Sequence, residues 1–131
     1  MRGLGWWALA GCATGCTAET IPLDPASVTT RDGIYRLHLA LEPSPPAAGV
    51  AVSLSLEVQA GGASVEGAQL DIEPWMPAHD HGLTGTLVTT ERGDGGYLAE
   101  WIFPMAGYWE VRINIDGDAG EDDATVAYEV E

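Results

Sequence analysis

Apolar and polar residues alternate with period 2 along most of this chain. Tyr35, Leu37, Leu39 and Leu41 alternate with Arg36, His38, Ala40 and Glu42, and Pro43-Ser44-Pro45-Pro46 closes the segment. Val50, Val52, Leu54, Leu56 and Val58 alternate with Ala51, Ser53, Ser55 and Glu57 before Gly61-Gly62 turns the chain. Successive side chains of a strand project to opposite faces, so each run predicts a strand with one face in a core and one in water. Ala68, Leu70 and Ile72 mark a third strand, Thr84 to Thr90 a weaker one nearer an edge, and Tyr97 to Phe103 a fifth. Trp109, Val111, Ile113 and Ile115 mark a sixth, and Val126, Tyr128 and Val130 the last. No segment sustains a helical repeat. Seven short strands with turn signals at about ten-residue spacing predict an all-β fold, a single immunoglobulin-like antiparallel β-sandwich.

The N-terminal part reads differently. Met1-Arg2 followed by the apolar run to Ala10 has the form of an export signal. Leu9-Ala10-Gly11-Cys12 resembles a bacterial lipobox, which implies cleavage before Cys12 and lipid attachment to its thiol. Ala13-Thr14-Gly15-Cys16 is a second, weaker lipobox with a more comfortable leader length, making Cys16 the alternative attachment point. Ala13 rather than Asp follows Cys12, a resemblance to outer-membrane-sorted lipoproteins. The expected location is the cell envelope, at the outer membrane facing the periplasm, with the membrane contacted through the lipid anchor only. The organisation expected is a signal and lipobox region over 1–16, a flexible tether over 17–30 broken by Pro22 and Pro25, and one domain over 31–131.

Charge narrows the partners. The net charge is -15, with 20 acidic residues against 5 basic ones, all arginine. Such a chain is repelled by phosphate backbones, so nucleic acid is not expected as a partner. Both cysteines lie in the leader region, so the domain has no thiol or disulfide, and any metal there must use His, Met or carboxylate.

Candidate chemistry concentrates in Pro74-Trp75-Met76-Pro77-Ala78-His79-Asp80-His81-Gly82. In extended backbone His79 and His81 would point to one side, about 6–7 Å apart, close enough to share one metal ion. A thioether from Met76 would favour Cu(I), whereas the two histidines with Asp80 would suit Cu(II) or Zn(II). The same residues also read as a rigid turn whose side chains cap backbone groups. Met105, in the turn Phe103-Pro104-Met105-Ala106-Gly107, would join the site if that turn lies at the same end of the sandwich. A methionine in a tight apolar turn packs more often than it ligates. His38 has solvent parity and is left out. Trp101 and Trp109 have core parity; Trp75 has outward parity, which suits either a shield for the histidine loop or a stacking surface for a sugar. Asp116 to Asp123 lacks the alternate-residue ligand spacing of a calcium loop and reads as a solvated hairpin turn. No catalytic motif is present in the domain, and an enzyme is not expected.

The methionine-proline and His-x-His-Gly segment, Gly96-Tyr97, and Phe103-Pro104-Met105-Ala106-Gly107-Tyr108-Trp109-Glu110-Val111 together resemble the YtkA-like family, related to FixH-type domains. The resemblance spans about Ile34 to Val130. It implies a small exported or membrane-attached bacterial protein of immunoglobulin-like fold, linked to copper handling or oxidase assembly. The matching positions are Met76, His79, His81, Gly82, Met105, Gly107 and Trp109. Asp80 stands where many relatives have glycine, and a lipid anchor replaces the transmembrane helix of FixH proteins. The expectation is a lipoprotein that holds or relays copper through Met76, His79, His81 and Met105, with a copper donor or acceptor protein as partner. The competing reading is a metal-free envelope interaction module.

Overall fold

The computed structural model describes residues 20–83 and 87–131. Among the described residues there is no helix, and therefore none long and apolar enough to cross a membrane. The described residues form ten strands in two sheets: β1 (Ser27–Thr29), β2 (Arg36–Glu42), β3 (Ala51–Ala60), β4 (Ala63–Ser64), β5 (Gln69–Met76), β6 (His81–Gly82), β7 (Thr89–Gly93), β8 (Gly96–Ile102), β9 (Gly107–Gly117) and β10 (Gly120–Val130). One sheet has the order β1-β2-β3-β8-β7 with β4 paired to β3; the other has the order β10-β9-β5-β6. Every pairing between these strands is antiparallel. The chain changes sheet after β4, after β6 and again through the Phe103–Gly107 turn, as a sandwich requires.

The predicted alternation selects the core. Leu37, Leu39 and Leu41 of β2, Val52 to Val58 of β3 and Trp109 to Ile115 of β9 are buried at every second position. They meet Tyr35, Tyr97, Phe103, Val126 and Tyr128 in one cluster between the sheets. Val50, given core parity by its neighbours, is 48% exposed because β3 begins only at Ala51. The strands beyond the seven expected are β1, β4 and β6, each of two or three residues and too short to show a period. Of the weak strand expected over 84–90, residues 84–86 lie outside the described residues and Leu87 and Val88 are not in a strand; β7 runs from Thr89 to Gly93.

The flexible tether expected over 17–30 needs correction where it is described. Asp24 N–H donates to the Ala127 carbonyl at 2.7 Å and Ala127 N–H to Pro22 O at 2.9 Å, so this segment runs parallel along the edge of β10. Ser27–Thr29 then pairs with β2. Proline breaks regular structure, but it leaves neighbouring backbone groups free to pair with an open sheet edge. Ala127 is consequently fully buried, out of phase with its strand.

The acidic hairpin also departs from a fully solvated turn. Its tip, Asp118-Ala119, joins β9 to β10, but Asp122 lies inside β10 and is buried. Its carboxylate accepts from the backbone N–H of Asp32 at 3.0 Å, Ile34 at 3.2 Å and Asp123 at 2.9 Å. Burial works to raise its pKa, but hydrogen bonds from the Thr30 side chain and from the backbone of Asp32, Asp123 and Ile34 outweigh it and hold the pKa below the usual carboxylate range. Asp122 thereby fastens the turn before β2 to the opposite sheet.

Candidate metal centre

The β5–β6 hairpin carries both histidines. Met76 and His81 are cross-strand partners closing the loop Pro77–Asp80. His79 N–H donates to Met76 O at 3.2 Å and Asp80 N–H to Pro77 O at 3.3 Å, two successive tight turns. Pro77 presets the dihedral that the first turn needs, and Asp80 ends the loop at φ 54°, a conformation that Asp tolerates better than most residues. The histidines therefore meet across a turn, not along the extended backbone expected from their spacing. Their ring centroids lie 5.8 Å apart with an interplanar angle of 55°.

That separation has a chemical meaning. Two imidazoles bound to one ion at about 2.0–2.1 Å place their centroids about 5 Å apart at a tetrahedral angle and about 6.3 Å apart at a linear one. The observed 5.8 Å falls between these limits. His81 Nδ1 lies 3.2 Å from the carbonyl of Gly82. A carbonyl only accepts, so this contact assigns the proton to Nδ1 and leaves the lone pair on Nε2, the usual second contact of a ligating histidine. His79 is exposed and His81 half-buried, so the pair is open to an incoming ion.

Cross-strand partners project to the same face, so His81 follows Met76 toward the sandwich interior. Met76 is 4% exposed and belongs to the core cluster. The ring of Trp109 meets that of His81 edge-on at 5.7 Å, and its Nε1–H donates to Met105 O at 3.0 Å. Met105 is partly buried against the same core. Gly107, two residues further on, lies so close to Met76 that a Cβ there would come within 2.5 Å of Met76 Cε. The β5–β6 hairpin and the Phe103–Gly107 turn thus sit at one end of the sandwich, joined through Trp109.

Asp80 does not complete a hard-ligand set. Among the described residues no three His, Cys, Asp or Glu side chains are grouped to hold an ion. Trp75 does not shield the histidines either. It lies on the outer face, 41% exposed, with Cε3 3.3 Å from the place a Gly82 Cβ would occupy. The indole against His81 is that of Trp109, whose strand parity suggested core packing alone. The sequence trace of its second role is the Met-x-Gly-x-Trp spacing of Met105, Gly107 and Trp109, part of the family resemblance. Trp75 instead borders a groove of about 830 Å³ on the outer face, lined also by Asp71, Glu73, Glu110 and Arg112; none of the four candidate ligands lines it. Cys12 and Cys16 lie outside the described residues.

The family model of the YtkA-like family matches residues 31–114, a range that holds all four candidate ligands. The chain belongs to the YtkA-like family. No curated protein matches it. Among solved structures it is similar to a copper-bound variant of FetP from uropathogenic Escherichia coli strain F11, at 15% identity, with 79% of this chain and 87% of that one covered and a TM-score of 0.45. The YtkA-like match runs from the turn before β2 into β9, leaving β10, the partner of β9, beyond it.

Proposed function

We propose that this YtkA-like domain binds copper as Cu(I) at the end of the sandwich and holds or relays it between a donor and an acceptor protein. His79 and His81 supply most of the affinity, and Met76 and Met105 supply the soft donors. The observation that carries this reading is the imidazole pair at 5.8 Å, with His81 Nδ1 engaged by a carbonyl and Nε2 left free. A neutral shell of imidazole and thioether favours Cu(I) over harder ions. No bond-making chemistry is required of the protein. Its place would be the cell envelope, held by a lipid on Cys12 or, failing that, Cys16.

Competition of the purified protein with a Cu(I) chelator tests the reading. Wild type should take copper from the chelator, and the variant with both His79→Ala and His81→Ala should not. Protons compete with the ion for imidazole nitrogen, so wild-type affinity should weaken on acidification. Equal, weak binding by wild type and the double variant would refute the copper reading and leave a metal-free interaction module. For the anchor, Cys12→Ser should release the protein from membranes or block its processing; if only Cys16→Ser does so, the second lipobox is the one used.

A further inference from the structure

We propose that Trp109 and Gly107 set the preference of this site for Cu(I) over Zn(II) by positioning its two thioethers. The inference rests on the copper reading and concerns how the same site chooses its metal. An imidazole pair alone accepts either ion, and only the thioethers discriminate. Their placement therefore decides selectivity, and each is placed by a different residue.

Met105 lies in the turn between β8 and β9, outside both strands. The Trp109 indole N–H holds that turn by donating to the Met105 carbonyl at 3.0 Å. Trp109 is fully buried, so this N–H has no water to turn to if the turn moves away, and leaving it unpaired is costly. The same indole meets the His81 ring at 5.7 Å and that of Phe103 at 5.2 Å. It therefore couples an imidazole on one hairpin to the backbone of a thioether residue on another turn.

Gly107 acts on Met76. A Cβ at this position would lie 2.5 Å from Met76 Cε, and the φ of +132° disfavours any side chain as well. The missing side chain lets the Met76 methyl rest against the turn that carries Met105. The Met76 methyl consequently lies against backbone two residues from Met105, with the imidazole pair on the facing hairpin.

The test is a double-mutant cycle between Trp109→Phe and Met105→Leu, read as the ratio of Cu(I) to Zn(II) affinity by chelator competition. Phenylalanine keeps an aromatic face toward His81 and removes the N–H; leucine removes the sulfur and keeps the carbonyl. Trp109→Phe should lower the ratio about 10-fold, the lower end of what loss of an outer-shell partner costs a metal site, and Met105→Leu, which removes a ligand, at least as much. The double variant should match Met105→Leu alone, because Trp109 acts through Met105. Additive losses, or a loss equal for both metals, would show Trp109 to be core packing only. A second readout needs no change at Trp109: the indole N–H resonance should shift when Cu(I) is added to wild type and shift less in Met105→Leu, where only the contact with His81 reports the ion. No shift in wild type that does bind Cu(I) would overturn the proposal while leaving the copper reading intact. Retention of Cu(I) by the variant lacking both His79 and His81 would overturn the copper reading itself.

Discussion

Replacing Asp122 with Asn removes one charge from β10 with almost no change in side-chain volume. The carboxylate accepts from three backbone donors, those of Asp32, Ile34 and Asp123. A hydrogen bond to a charged acceptor contributes about 1.5–3 kcal/mol net and one to a neutral acceptor about 0.5–1.5, so the change costs roughly 1 kcal/mol per donor. Three donors give about 3 kcal/mol. The turn before β2 is at the surface and water replaces part of the loss, so a cost of about 2–3 kcal/mol is expected, against a total stability on the order of 5–15 kcal/mol. For a domain near 100 residues this lowers the melting temperature by on the order of 10–20 °C. The sign of the pH dependence follows from the depressed pKa of Asp122. Its contribution is fully present above the unfolded carboxylate value, about 3.9, and is lost as pH falls through the lower folded value. The gap between wild type and Asp122→Asn should therefore be constant from pH 7 to 5 and close below about pH 4. Urea unfolding of both proteins at a series of pH values measures it. Equal midpoints at pH 7, or a gap that widens on acidification, would refute the account of Asp122 as an ionised staple.

Leu54→Ala and Ile113→Ala, at fully buried positions on facing sheets, should each cost about 2–5 kcal/mol by denaturant unfolding; a negligible change in both would mean that strand parity does not report the core. Tyr97→Phe should cost about 1–3 kcal/mol, since its hydroxyl donates to Val65 O at 2.9 Å and accepts from Ala68 N–H at 3.1 Å, and the N–H loses its partner. His79→Ala should leave the metal-free stability within about 0.5 kcal/mol, as befits an exposed side chain. His81→Ala should cost about 0.5–1.5 kcal/mol through its lost edge contact with Trp109. If the His79 variant is the less stable of the two, the assignment of exposed and packed histidine is reversed.

Period-2 alternation made the long strands and most of the core legible, because a strand's inward face is decided by its own residues. Leu37, Leu54 and Val111 are buried where their parity places them. Parity names a face, however, and not a partner. The docking of Leu23 beside Ala127 depends on β10 being a sheet edge, a fact of strand order that no local pattern records. Asp122 shows the same limit in a run of acids. The same turn reaches its neighbour Asp123 with the Arg31 guanidinium, at 3.1 Å, but closes its backbone N–H groups on Asp122, and no local pattern distinguishes the two acids.

At the candidate site this limit becomes a matter of chemistry. The Met76, His79 and His81 cluster could be read from the sequence because its members are close in the chain. The contribution of Trp109 could not, because its apolar surface and its N–H serve different neighbours. Parity reports the first, which packs on Phe103; the second reaches Met105 only because β9 leaves the core there. A residue at the last inward position of a strand is the place where a core ends and a loop begins. Such a residue is buried well enough to make its one polar bond strong, and near enough to the surface for that bond to hold a loop in place. Truncating Trp109 would thus disturb packing and site together, and the ratio of the two metal affinities separates the effects, because lost packing lowers both affinities alike.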